Sequence, residues 1–295
     1  MTAMMLNNSG IIMSIQIKEL THIYSEGLPY ESCALDSVSF DVDAGEFMGI
    51  IGHTGSGKST LIQHFNGLLK PKSGSIVING TDIIKDNVSM RDIRRKVGLV
   101  FQYPEYQLFE ENVYKDVSFG PLNLGMSAEE ADKCVRDAIA LVGLDFTEIS
   151  ERSPFDLSGG QKRRIAIAGV IAMKPEVLIL DEPTAGIDPK THKDILRMIK
   201  GIHQSSKNIT ILVSHNMSDI ANYCRRVLVL DKGKVLMHGT PQEVFSKREM
   251  LFSLGLDIPP ATDFMHKLND HGFNVRTDIF NEDEAADEII RTLKR

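Results

Sequence analysis

The sequence has no tryptophan, and among its 295 residues there are only three cysteines, Cys33, Cys134 and Cys224. Scattered thiols without ligand spacing exclude a disulfide framework and fit a reducing compartment, where cysteine serves as a small buried hydrophobe. No stretch approaches the roughly 20 apolar residues that span a bilayer. No basic leader with a cleavage pattern opens the chain, so no signal peptide is read. A basic surplus is also missing. Lys and Arg number 33 against 40 Asp and Glu, giving a net charge of -7, and no nucleic-acid partner is expected. There is no internal repeat and no low-complexity segment.

What is present is an ordinary globular composition, long enough for one large domain or one large and one small. Residues 1–12 read as a flexible extension, with Met13 an alternative start. Ser14–Leu20 and Ala34–Val42 alternate apolar and polar residues, as half-buried strands do. Phe47–Ile51, Val177–Leu180 and Ile209–Val213 are continuous apolar runs, as expected of parallel strands covered on both faces. Gly74–Ile78 and Val97–Phe101 are further strands. From Gln102 to about residue 175 the character turns helical. Ser127 and Glu130 form a capping box for a helix to Val142 that stops at Gly143. Helices are predicted over Thr60–Leu69, Thr191–Lys200 and Met217–Cys224, with a hairpin turning at Lys232-Gly233. Thr240 to Glu243 opens another helix. A short apolar helix near Phe264–Leu268 and an acidic stretch over Asn281–Glu288 follow.

Two glycine-rich segments carry the chemistry. Gly52-His53-Thr54-Gly55-Ser56-Gly57-Lys58-Ser59 has the form G-x-x-x-x-G-K-S between a strand and a helix. Its glycines let backbone N–H groups converge on phosphates, and the helix N-terminus adds its positive end. Lys58 is placed to reach the β- and γ-phosphates, Ser59 to ligate Mg²⁺, and Thr60 to cap nearby. The run Val177–Leu180 ends in Asp181-Glu182. A carboxylate ending a buried parallel strand sits beside the loop after the neighbouring strand. Asp181 is then the holder of Mg²⁺, and Glu182 is placed to polarise a water for in-line attack. The second segment, Leu157-Ser158-Gly159-Gly160-Gln161, puts a hydroxyl and two glycines before a helix but has no lysine of its own. It reads as an anion site that completes a pocket begun by another chain.

These motifs resemble those of ABC-type ATPases over roughly Ile15 to Gly239. Gly52–Ser59 matches the Walker A loop, Val177–Asp181 the Walker B strand and Leu157–Gln161 the family signature. The resemblance implies an α/β P-loop NTPase core with an antiparallel β subdomain and a helical subdomain over about 102–175. The ATPase domain would span 13–245, with a small helical appendix over 246–295. It also implies roles for four further residues. Gln102 would touch Mg²⁺ and the attacking water, and His215 would contact the γ-phosphate. Asp188 would lie in the loop crossing between two sites, and Tyr24 would stack on adenine.

The segments Tyr103–Glu110 and Val117–Gly125 are similar to the ATPase subunits of energy-coupling factor (ECF) transporters, which drive uptake of vitamins, cobalt or nickel. That resemblance implies ATP and Mg²⁺ as cofactors. It implies three partners: a second ATPase subunit (self or paralogue), a transmembrane coupling protein and a membrane substrate-binding subunit. The location would be peripheral, at the cytoplasmic face of the cell membrane. Tyr103, Tyr106, Leu108 and Phe109 are then placed to receive a helix of the membrane partner. The ATPase of another ABC importer and a soluble non-transport ABC ATPase stay open as alternatives.

Overall fold

The alternating segment near the start forms β1 (Ile15–Tyr24), and its neighbour forms β2 (Ser32–Val42). Ile15, Ile17, Leu35 and Val38 are buried in them, the pattern of a sheet covered on one face. β3 (Phe47–Ile51) is buried at every position. It is followed by α1 (Lys58–Phe65), β4 (Ser73–Ile78) and the short β5 (Thr81–Asp82). An antiparallel sheet results, in the order β2-β1-β4-β5. α2 (Met90–Lys96) then leads into β6 (Val97–Val100). This computed structural model describes residues 14–85 and 88–294. The extension expected over residues 1–12, and Met13, lie outside the described residues.

The sequence predicts α1 over Thr60–Leu69; the helix starts two residues earlier and ends at Phe65. Gly67 adopts φ 71, and the N–H groups of Leu68 and Leu69 turn back to the Gln63 carbonyl. A left-handed glycine ends a helix in this way.

The helical lobe follows, with α3 (Val113–Asn123), α4 (Ala128–Leu141), α5 (Phe146–Ile149) and α6 (Gly159–Ile171). The capping box at Ser127 and Glu130 forms as its residues dictate. Cys134 is buried here and Cys224 further on, but Cys33 is exposed near the start of β2, so one of the three thiols is not the buried hydrophobe expected.

The chain then returns to the main sheet with β7 (Val177–Asp181), α7 (Pro189–Ser206) and β8 (Ile209–Val213). α8 (Met217–Tyr223), β9 (Arg226–Asp231) and β10 (Lys234–Gly239) complete it. The hairpin turns where Lys232 and Gly233 both take positive φ, the backbone that matches strand twist. The six strands run in the order β10-β9-β3-β8-β7-β6, and all but β10 are parallel. β8 therefore lies between β3 and β7, so the Asp181 strand is two places from the phosphate-loop strand and not its neighbour.

Two cores cover the sheet. Leu178 and Leu180 face the helical lobe, while Ile179 between them faces the antiparallel sheet. Beyond α9 (Pro241–Phe245) come α10 (Arg248–Ser253), α11 (Pro260–Asp270) and α12 (Glu282–Leu293). Ala261, Met265, Val275, Ile279 and Ala285 form a small separate cluster there. The acidic stretch is helical: Asn281 caps α12, and the three acidic residues of its first turn favour the positive helix end.

Candidate functional site

The carboxyl ends of β3, β6, β7 and β8 meet at one edge of the sheet, and the loops leaving them build the site. The loop after β3 wraps the start of α1. Gly57 is the N-cap at φ 105, and no side chain caps this helix. A Cβ on Gly57 would stand 2.6 Å from the Ala34 carbonyl oxygen, so the loop lies too close to β2 for any side chain there. The first-turn amides are left for a ligand. Lys58 folds over its own loop and donates to the carbonyls of Gly52 at 2.6 Å and His53 at 2.9 Å. Burial lowers the pKa of its ammonium, while Glu182 and Asp181 oppose that effect. Ser56 Oγ is buried without a partner, and Thr54 and Gly55 form the exposed tip. Tyr24, part-exposed, shares a 3.2 Å hydrogen bond between its hydroxyl and Thr60 Oγ1. Its ring stands edge-on to His22, which in turn meets His64.

Asp181 ends β7, and its Oδ2 accepts from Ser59 Oγ at 3.4 Å. Burial, helped by the charge of Glu182, pushes its pKa up to about 6. Glu182 is held at φ 48, a strained conformation for a non-glycine residue. Its N–H donates to the Val213 carbonyl, and its Oε2 lies 2.8 Å from Nδ1 of the exposed His215. Gln102, Glu182 and His215 line one cavity of about 320 Å³ with Tyr103, Thr184 and His192. The three residues expected to act on the γ-phosphate and its water are thus brought together. Among the described residues no group of three His, Cys, Asp or Glu side chains stands ready for a metal. A set as sparse as Ser59, Asp181 and Gln102 suits an ion whose remaining ligands are phosphate and water oxygens.

Ser158–Gln161 stands apart. Ser158 Oγ accepts from the Gln161 N–H, and Gln161 Oε1 accepts from the Ser158 N–H. Ser158 and Gly159 are exposed. Among the described residues no hydrogen bond joins this segment to Gly52–Thr60. Asp188 caps α7 by accepting from the N–H groups of Lys190 and Thr191; hydrogen bonding from the Thr191 side chain, and then from these amides, lowers its pKa.

One link was not legible beforehand. Arg163, 1 % exposed, grips Glu105 with two nitrogens at 2.6 and 2.9 Å. It also donates to the carbonyls of Pro183 and Ala185. The signature helix is thereby tied to the segment after Gln102 and to the loop after β7. The pair Arg163-Arg164 signals basic residues, but nothing in it says which guanidinium turns inward.

The ABC transporter family profile matches residues 35–185. The energy-coupling factor transporter ATP-binding protein EcfA2 of Caldanaerobacter subterraneus subsp. tengcongensis is 54 % identical, over 96 % of this chain and 98 % of its own length. Its counterpart from Clostridium tetani is also 54 % identical, over 95 % and 97 %. The chain belongs to this family. It is an ABC-type ATPase subunit, and its fold class is the one expected. Among solved structures, cbiO1 from Clostridium perfringens, part of the ABC transporter complex cbiONQ, aligns at TM-score 0.73 with 36 % identity. That match covers 86 % of this chain and 99 % of cbiO1. The ATP-binding cassette MJ0796, solved as a dimer bound to ADP and Pi, aligns at 0.67 with 27 % identity, covering 77 % and 98 %.

Proposed function

We propose that this ATP-binding subunit supplies half of each of two composite ATP sites in an ECF importer for vitamins or transition-metal ions. It works peripherally at the cytoplasmic face of the cell membrane. One observation carries the reading: the chain has a full phosphate cradle and, apart from it, an exposed capped helix start at Ser158 with nothing of its own to grip. The dimeric MJ0796 cassette with ADP and Pi is a solved precedent for such pairing.

In this reading each ATP lies between Gly52–Thr60 of one subunit and Ser158–Gln161 of the other. Tyr24 offers its ring to the adenine, and Asp188 lies at the crossing between the sites. Lys58 leaves its loop carbonyls for the β- and γ-phosphates. Glu182 accepts a hydrogen bond from the attacking water, with His215 beside its Oε2 and Gln102 across the cavity. Ser59, Asp181 and Gln102 are the residues suited to Mg²⁺, which when bound neutralises charge developing on the phosphate oxygens. Loss of the γ-phosphate removes the charge that draws the halves together.

The partners are a second ATPase (self or paralogue), a transmembrane coupling protein and a membrane substrate-binding subunit. Supporting the second is a groove of about 480 Å³ between the lobes, lined by Leu99, Phe101, Phe109, Phe119, Val170 and Met173. Phe109 and Phe119 are exposed and meet edge to face at 4.9 Å. Leu108, expected among the docking residues, is instead buried in the core, so the exposed contacts are Tyr103, Tyr106 and Phe109. The division into an ATPase body over 13–245 and an appendix over 246–295 belongs to the same reading, and the separate C-terminal cluster supports it.

Turnover measured against subunit concentration tests the composite site: ATPase activity is expected to vanish on dilution of the separated subunits. A lone molecule cleaving ATP at full rate at any dilution overturns the proposal.

A further inference from the structure

The Nδ1 atom of His53 lies 2.7 Å from the Thr54 carbonyl oxygen, and its Nε2 lies 2.7 Å from Asp231 Oδ1. A carbonyl and a carboxylate only accept. A neutral imidazole carries one N–H, so it satisfies one of these oxygens and turns a lone pair on the other. Only the imidazolium holds both.

The partner oxygen sits at the end of β9, in a turn already tied to the phosphate loop. Gly233 N–H donates to the Ser56 carbonyl at 3.0 Å, and its carbonyl accepts from Asp36 N–H at 2.9 Å. Gly57 backs onto β2 closely enough that a Cβ there would stand 2.6 Å from the Ala34 carbonyl oxygen. Charged groups on the elements packed here are Asp231 and Lys232 of the turn, Lys58 of α1, and the Asp36–Lys234 pair joining β2 to β10. The His53 side chain is 34 % exposed and Asp231 17 %, so the pair is half sheltered and reachable by protons.

We infer that His53 is a positioning residue: as the imidazolium it clamps the phosphate loop to the β9–β10 turn, and loss of that proton loosens the loop and weakens nucleotide binding. The inference rests on Gly52–Thr60 being the ATP cradle. A preformed cradle binds more tightly because its ordering is already complete.

The test is the dissociation constant of a fluorescent ATP analogue with Mg²⁺, measured on the full chain across the histidine range, roughly pH 5 to 8. Titration of the nucleotide and of every group shared by all variants cancels in ratios. His53→Gln donates an amide N–H to Asp231 at every pH. The wild-type constant divided by that of His53→Gln is expected to rise roughly tenfold over the range, the weight of one charge-assisted bond. Asp231→Asn offers an N–H to Nε2 while Nδ1–H keeps Thr54, so a neutral ring satisfies both. That variant is expected to stay within about twofold of His53→Gln throughout. One shared pH profile for wild type and both variants overturns the inference. Absence of binding by wild type at every pH overturns the cradle reading instead.

Discussion

The two helix starts α1 and α6 both follow glycine and serine, yet their first turns do opposite things. At α1 the cap is a left-handed glycine with no side-chain oxygen to spare, so the N–H groups face outward unsatisfied. At α6 the Ser158–Gln161 box consumes two of the donors internally. The first is an unfinished surface that, in the reading proposed, a polyphosphate completes. The second is half finished: beyond its box it offers the Gly159 and Gly160 N–H groups, a hydroxyl proton and the positive end of a helix dipole. The difference teaches why one segment grips with its own lysine while the other needs a ligand brought to it.

Five variants or conditions probe that contrast. Lys58→Ala is expected to weaken nucleotide binding by about 10³-fold or more, read by equilibrium titration. Binding within tenfold of wild type would take α1 out of its role. Glu182→Gln is expected to bind ATP normally, to turn over about 10²- to 10³-fold more slowly, and to accumulate as a closed dimer on size exclusion. Normal turnover in this variant would remove Glu182 from catalysis.

Glu105→Ala strands the buried Arg163 guanidinium and is expected to lower unfolding stability by about 3 kcal/mol in a denaturant titration. A loss under 1 kcal/mol would mean that the arginine is held by Pro183 and Ala185 alone. His64 makes a pH-dependent contribution of similar size. It is a fully buried residue in the last turn of α1, and burial pushes its pKa down to about 4. Below about pH 6.5 the unfolded chain takes up a proton that the folded chain refuses until about 4. Stability therefore falls with falling pH across that window, by up to about 3 kcal/mol, and His64→Gln is expected to flatten the slope. An unchanged slope would place the acid sensitivity elsewhere. Ser158→Ala has the smallest effect on the isolated chain. It loses about 1 kcal/mol of cap stability with no change in nucleotide affinity, while the assembled complex loses ATPase activity. Equal losses in both states would make Ser158 a cap and nothing more.

Much of this was legible in the residues themselves. The apolar runs of β3, β7 and β8 announce a sheet buried on both faces, and the boxes at Ser127 and Thr240 fix two helix starts locally. The end of α1 is masked in the sequence because Leu68 and Leu69 continue the apolar pattern after a left-handed glycine has already closed the helix. The acidic stretch conceals an amphipathic helix whose buried contributors, Ala285 and Glu288, carry little hydrophobic signal. The placement of β8 between β3 and β7 is a matter of topology, which no local pattern records. Leu108 and Phe109 are adjacent and both apolar, and only packing decides that one is core and the other surface. His53 and Asp231 lie 178 positions apart, beyond the reach of any spacing rule.

Arg163 has a mechanical consequence. One guanidinium joins the helix that begins at Ser158, the segment after Gln102, and the backbone of the loop after β7. A subunit braced this way behaves as a lever with a single fulcrum. In a pair assembled as proposed, two such levers bear on each other, and a nucleotide missing on one side leaves the opposite side out of true.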